Sequence, residues 1–393
     1  MLFEPLEPHE RFRARREAAR RRRRRRRRLV AALALSIVAV VALGAQVGRE
    51  HDAPAPAPPP LAAADAQPAP QPVPLPDEVR GVHVTMALAS LPRKLDEYLA
   101  LQEEGLNTIQ LDVKDENGEI GFIPSAVPLA TQVGAAKPYY RPRAVAKLLA
   151  ERGIYLIGRV VVFEDPRLSE GAPELALKNP DGSVWRNHAG LGWTNPYDRR
   201  VWDYNVSIAE VAARAGFDEI QFDYVRFPSD GDVDSIVFPV TTDTPRGWVI
   251  PEFVHYAAKR LKPLGVRVSA DVFGLAATRD LGIEQIPRRL ARHLDAVYPM
   301  VYPSHYGSGE FGLADPHAAP GETVAHSLAH FRRELRGTRA AMIPWLQDFS
   351  HGRTYGLAEV RAQVEAARKL GARGYLLWNP EGVYTPGALT PPG

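Results

Sequence analysis

The fold class this sequence predicts is α/β, a (β/α)8 TIM barrel over residues 80–385. Three observations carry it. An amphipathic stretch, a glycine and a short apolar run recur along the chain. The apolar runs are continuous rather than alternating, as expected of parallel strands buried on both faces. The long insertions follow the ends of these runs, whereas the turns leading into them are short and carry glycine.

The strands follow in order. RGVHVTMA supplies the first, at 82–86. EEGLNTIQLDVKD, ERGIYLIGRVVVF, RAGFDEIQFDYVRF and PLGVRVSADVF place the next four at 107–113, 154–163, 219–225 and 266–272. DAVYPMVYP, AAMIPWLQDF and KLGARGYLLWNP give 295–301, 340–346 and 373–378. Gly105, Gly153, Gly216, Gly265 and Gly371 sit where helices would end in a left-handed cap. Eight such units in about 300 residues fit the barrel. A doubly wound open sheet is the alternative, weakened because no strand is followed by a glycine-rich phosphate loop. The chain ends fifteen residues after the last predicted strand, with 386–393 as a Pro-rich tail. An ordinary eighth helix is therefore missing. Either the barrel closes imperfectly there, or residues ahead of the first strand cover the gap.

Ahead of the barrel the composition changes sharply. Thirteen Arg against four Glu give residues 1–28 a net +9, so the overall +3 leaves −6 for the rest of the chain. LVAALALSIVAVVALGAQV, residues 29–47, holds no charge and is long enough to span a bilayer as one transmembrane helix. The arginines before it predict a cytoplasmic N-terminus. This reads as a signal anchor; a cleaved signal peptide, ending near Ala42-Leu43-Gly44, is the rival. Residues 48–79 are rich in Pro and Ala and read as a linker. An arginine run can bind phosphate non-specifically, but its position beside the apolar span points to the membrane rather than to a specific nucleic acid. The 393 residues contain no cysteine, which excludes disulfides, thiolate metal sites and a cysteine nucleophile.

The loops after strands 2, 3, 4 and 6 form the working face of a barrel. Carboxylates at C-terminal strand ends are Asp112 and Asp115 (strand 2), Glu164 and Asp165 (strand 3), Asp223 (strand 4), Asp271 (strand 5), Asp348 (strand 7) and Glu381 (strand 8). Asp223 and Asp271 lie in adjacent apolar runs, IQFDYV and VSADVF. A charge there is costly unless it is used or paired. Two carboxylates facing one pocket, one ionised and one kept protonated, are what glycoside hydrolysis needs. The alternative is structural ion pairing with Arg226, Arg159 or Lys114. Asp115 and Glu381 are substitutes for the second carboxylate. Asp112, Lys114, Tyr224, Arg226, Trp193, Tyr302, His305 and Trp378, with Glu381, are the candidate substrate contacts, because flat rings and hydrogen-bonding side chains suit sugars. Trp193, in HAGLGWTNP, is the ring least explained by packing alone. A metal-dependent amidohydrolase is disfavoured because the first strand offers only His83, and no GxSxG elbow or cofactor fingerprint occurs. No metal and no cofactor are expected.

RGVHVT, NTIQLDVKDENGEIGF, RVVVFEDP, TNPYDRRVWDYN, FDEIQFDYVRFPSDG, VSADVFG, PMVYPSHY and GYLLWNPEG together resemble the glycoside-hydrolase-like barrel family DUF4015, across nearly all of 80–385. The resemblance implies a TIM barrel, commonly exported or membrane-anchored, with the aspartate ending strand 4, here Asp223, as nucleophile or proton donor. The strand-5 position, here Asp271, varies more among such barrels. The expectation is a membrane-anchored glycosidase acting outside the cytoplasmic membrane on an envelope or extracellular polysaccharide. The competing class is a non-catalytic carbohydrate-binding or scaffold barrel.

Overall fold

The computed structural model describes residues 70–391. The predicted basic tail, membrane span and most of the linker lie outside the described residues. Among the described residues, no helix is long and apolar enough to cross a membrane.

The sheet is a closed parallel barrel. Its strands are β1 (Val79–Val84), β2 (Thr108–Lys114), β3 (Tyr155–Val161), β4 (Glu219–Asp223), β5 (Arg267–Phe273), β6 (Ala296–Met300), β7 (Ala341–Met342), β8 (Trp345–Gln347) and β9 (Gly374–Trp378). Neighbours run β5-β4-β3-β2-β1-β9-β8-β6-β7, and β5–β6 pairing closes the ring. The predicted seventh strand is one stave in two pieces, β7 and β8, because Pro344 between them has no N–H to give the ladder. Its carbonyl still accepts from Leu376 N at 2.9 Å, which keeps the stave in register with β9.

The outward residues of the staves, such as Ile109, Leu111, Val113 and Leu156, are apolar and buried under the helices. The inward residues are largely polar, a difference from the uniformly apolar core that the continuous runs suggested. Gln110, Asp112, Arg159, Glu219, Gln221, Ser269 and Asp271 are all buried. They are tolerated because they bond to one another across the barrel. At the lower end, Glu219 accepts from Tyr155 Oη at 2.9 Å and from Ser269 Oγ.

The longest helix, Arg199–Ala215, shows how the crossovers are specified. Asp198 caps its N-terminus by accepting from Arg200 N, and Gly216 ends it at φ 107°, a conformation that a side chain would oppose. Val201, Trp202, Ile208 and Ala212 form its buried stripe.

No helix follows β9 among the described residues; the tail itself takes that place. Ala388 and Leu389 are buried, Tyr375 Oη donates to Ala388 O at 2.9 Å, and Gly387 N donates to Glu104 Oε2 at 2.6 Å. Residues 70–78 lie along the opposite end of the barrel. Arg267 Nε donates to Val73 O at 3.3 Å, Arg373 Nε donates to Pro76 O at 3.2 Å, and Leu75 packs on the lower core.

Candidate active site

Because every stave is parallel, the loops 115–141, 162–198, 224–245 and 301–319 all leave from one face. The inward side chains nearest that face are Asp112, Arg159, Asp223, Asp271 and Trp345.

Arg159 organises them. Its Nε and Nη2 donate to Asp223 Oδ2 at 2.9 and 2.8 Å, and its Nη1 donates to Asp112 Oδ1 at 2.9 Å and to Glu116 Oε2 at 3.2 Å. The registers Asp112↔Arg159 and Arg159↔Gln221 place it between the two carboxylates. Burial works against the guanidinium charge, but Asp223 and Asp112 hold it firmly protonated. One planar fork serving several carboxylates is a task that lysine could not perform.

Asp223 ends β4, and its other oxygen, Oδ1, accepts from Tyr224 N at 2.7 Å. Tyr224 itself adopts φ 48°, a left-handed turn unusual for an aromatic residue. Such turns persist where the surroundings over-determine them, and they concentrate at functional sites.

Asp271 is 1% exposed, and its Oδ1 accepts from Trp345 Nε1 at 2.6 Å. Burial, then the charge of Asp223, raise its pKa well above the ordinary carboxylate range, and Trp345 only partly offsets this. Both effects favour the neutral carboxyl over the carboxylate. Tyr302 is buried beside this pair, its phenol pushed up by burial and by the charges of Asp271 and then Asp223.

Asp112 is pushed up to about 6 by burial, opposed by Arg159. His83 Nε2 lies 3.6 Å from Asp112 Oδ2, and its Nδ1 is 2.5 Å from Gln110 Oε1. Burial and then Arg159 lower His83 to about 3, so the imidazole is neutral. Trp378 stacks obliquely over His83 at 4.6 Å between ring centres and meets Trp345 edge-on at 6.2 Å. Asp223, Asp271, Asp112, Tyr302 and Trp378 thus lie together at this end of the barrel.

A second group lies beside them. The Arg226 guanidinium sits over the rings of Trp193, Tyr224 and Phe273 at 5.0, 4.9 and 4.6 Å. Glu164 accepts from Asn187 Nδ2 at 2.8 Å. Burial pushes Glu164 up to about 7 against the pull of Arg226, with Asp230 and Asp223 adding to the rise.

Four expectations need correction. Lys114 does not reach the site: the register shifts between Asp112 and Lys114, turning the side chain out of the barrel. There it is fully buried against Asp165 at 2.8 Å, Val161 O at 2.6 Å and Asn205 at 3.0 Å. Trp193 is wholly buried beneath Arg226 and has no face to offer a sugar. Asp115 shapes its own loop, accepting from Asn117 N at 3.0 Å and Glu119 N at 2.8 Å. Glu381 is exposed in the turn after β9, its N–H given to Asn379 Oδ1 at 2.8 Å. Another strand-end acid, Asp348, is engaged by Thr385 N at 2.8 Å and Oγ1 at 2.5 Å.

His305 stands at the rim, edge-on to Tyr302 at 5.2 Å between ring centres. Sequence reasoning set aside Arg159 as a structural partner, dismissed His83 as a lone histidine and left Glu164 without a role. Period-two alternation along β3 could have pointed Arg159 inward; nothing local announces Glu164, which is covered by the loop carrying Asn187. Among the described residues, no group of three or more His, Cys, Asp or Glu side chains is arranged to hold a metal ion.

The chain matches the family DUF4015, described as "Putative glycosyl hydrolase domain", over residues 81–384. No curated protein matches it significantly. Among solved structures, a hypothetical protein from Ruminiclostridium thermocellum is 38% identical, covering 49% of this chain and 97% of that one, with a TM-score of 0.45. The PgaB (BpsB) glycoside hydrolase domain from Bordetella bronchiseptica is 15% identical, covering 78% of this chain and 95% of that one, with a TM-score of 0.53. That likeness supports the barrel fold. The spore cortex-lytic enzyme SleL from Bacillus megaterium is 12% identical, covering 81% of this chain and 74% of that one, at a TM-score of 0.48.

Proposed function

Since the chain belongs to the DUF4015 glycosyl hydrolase family, we propose that it hydrolyses glycosidic bonds of an envelope or extracellular polysaccharide with Asp223 and Asp271 as its carboxylate pair. The observation that carries this reading is the unequal treatment of the two acids. Asp223 is ion-paired with Arg159, whereas Asp271, bonded instead to Trp345 Nε1, is buried, and burial and then the charge of Asp223 favour its neutral form. Environments that separate two carboxyls in this way assign one as acid and the other as nucleophile or stabilising charge. Asp271 gives its proton to the leaving glycosidic oxygen as the bond to the anomeric carbon breaks. Asp223 meets the positive charge that develops on that carbon, either covalently or as a counter-ion. Water then completes the sugar and returns a proton to the acid. Trp378, only partly buried, supplies ring surface for the sugar.

We also propose that the domain is held outside the cytoplasmic membrane by the span at 29–47. Support comes from the sequence, where nine consecutive arginines immediately precede that uncharged stretch. Sedimentation of the full chain with membranes, and its protection pattern against added protease in spheroplasts, test the tether. Recovery of a shortened, soluble chain would instead support the cleaved signal peptide.

One observation favours the competing reading, a barrel that binds carbohydrate without cutting it: Asp271 is almost wholly covered. The test is reducing-end release from a panel of envelope polysaccharides and exopolysaccharides by the wild type and by Asp223→Asn. Binding without release by the wild type would establish the non-catalytic reading.

A further inference from the structure

His83 on β1, Gln110 on β2 and Gln221 on β4 are buried polar side chains joined in one hydrogen-bonded row. His83 Nδ1 lies 2.5 Å from Gln110 Oε1, and Gln110 Nε2 donates to Gln221 Oε1. The row ends at the carboxylate cluster. His83 Nε2 lies 3.6 Å from Asp112 Oδ2, while Asp112 Oδ1 accepts from Arg159 Nη1 at 2.9 Å. Arg159 in turn holds Asp223.

A neutral imidazole carries one N–H, and its partners decide on which nitrogen. With the row running from His83 to Gln221, the hydrogen is on Nδ1. Two buried atoms are then left without a partner, His83 Nε2 and Gln221 Nε2. The first turns a lone pair toward the Asp112 carboxylate, and the second is an N–H group without an acceptor; both are costly. Half a turn of each amide exchanges its oxygen and nitrogen and reverses the row. Gln221 Nε2 then donates to Gln110 Oε1, Gln110 Nε2 donates to His83 Nδ1, and His83 turns an Nε2–H toward Asp112. Only one amide oxygen, that of Gln221, stays uncovered.

His83 itself is placed to touch no sugar. It is 2% exposed, the Trp378 ring lies 4.6 Å away between centres, and Tyr384 Oη donates to its carbonyl at 2.5 Å. Its influence on the site passes through Asp112. The 3.6 Å separation is slightly long for a hydrogen bond, and contacts of this kind tighten when a substrate fills the site.

We propose that His83 is a positioning residue: as the Nε2–H tautomer it donates to Asp112, keeps that carboxylate turned to Arg159, and through Arg159 fixes Asp223. The proposal rests on the glycosidase reading for the reaction it serves, but not for the tautomer. An N–H given to the ionised form of Asp112 lowers its pKa, so removing His83 raises it. The other charges facing Asp112 are Arg159 on β3, Asp223 on β4, and Glu116 and Asp115 in the loop after β2, with the phenol of Tyr384 beyond β9.

The experiment uses the full-length chain labelled with 15N-histidine and, separately, with 13C-aspartate. Long-range 1H–15N spectra of the wild type should show His83, identified by its loss in His83→Gln, as the Nε2–H tautomer between about pH 5 and 8. Followed by its carboxyl carbon, identified with Asp112→Asn, the Asp112 titration should move up by about one pH unit in His83→Phe. His83→Gln, which keeps a donor near the position of Nε2, should restore most of that shift. The acid limb of kcat/KM should move with the titration, with KM changed little. An Nδ1–H tautomer or an imidazolium overturns the proposal, as does an Asp112 titration unmoved in His83→Phe or displaced equally in both variants. An acid limb that stays while the titration moves overturns the positioning role. Absence of hydrolysis by the wild type, with the tautomer and the titration as expected, would count against the glycosidase reading alone.

Discussion

Arg159 and Asp223 meet across neighbouring staves, with Nε at 2.9 Å and Nη2 at 2.8 Å from the same carboxylate oxygen. Because the guanidinium also bridges to Asp112, Asp223 is fixed in direction before any substrate arrives. Pre-organisation of this kind lowers the cost of reaching a transition state.

Removing the carboxylate while keeping its shape tests the centre of the reading. Asp223→Asn should cut reducing-end release by at least about 10³-fold, the scale of losing a catalytic nucleophile, and leave polysaccharide binding within a few-fold. Hydrolysis at near wild-type rate would sink the assignment.

Asp271→Asn separates acid catalysis from nucleophilic attack. Release from the natural polymer should fall by about 10²–10⁴-fold, the usual worth of a general acid. Aryl glycosides whose leaving group needs no proton should lose far less. The rise in the Asp271 pKa also places the acid's loss of activity on the alkaline side. Should Glu164→Gln, rather than Asp271→Asn, show this leaving-group dependence, Glu164 would be the acid.

Glu164 also marks a pH dependence of stability. Its folded pKa, about 7, is raised above the ordinary 4.5. Its contribution is therefore complete below the unfolded value and is lost as pH rises through 7. Thermal unfolding should show Glu164→Gln matching wild type near pH 4 and exceeding it by roughly 2 kcal/mol near pH 8. His83, lowered to about 3, acts in the opposite sense: its contribution is present above the unfolded value near 6.5 and lost as pH falls toward 3.

Arg159→Leu leaves Asp223 and Asp112 buried without their counter-ion, which should cost about 3–5 kcal/mol and lower Tm by roughly 10 °C. Arg159→Lys keeps the charge but not the fork. It should unfold nearer to wild type while still losing most activity, a split that a purely structural role would not produce.

Lys114→Met removes a partner of Asp165 in the helical layer, 2.8 Å away. The expected cost is again about 3–5 kcal/mol, with KM unchanged for the folded fraction. A raised KM at unchanged stability would restore Lys114 to the substrate site.

The barrel itself was legible because its signals are local. Continuous apolar runs after glycine-capped helices gave the staves to within a few residues, and the asymmetry of insertions gave the working face. Asp223, Asp271 and Asp112 were found because an acid inside an apolar run is conspicuous. The tertiary structure decided what those acids touch. Trp193 and Lys114 read as site residues until burial and a register shift turned them elsewhere. Arg159 became central only when β3 was set between β2 and β4. Sequence spacing fixes which way a strand's side chains alternate, but a buried charge takes its meaning from partners brought close by the closed ring. Arg159 and Asp223 are 64 positions apart, and nothing in the intervening residues announces the distance at which they meet.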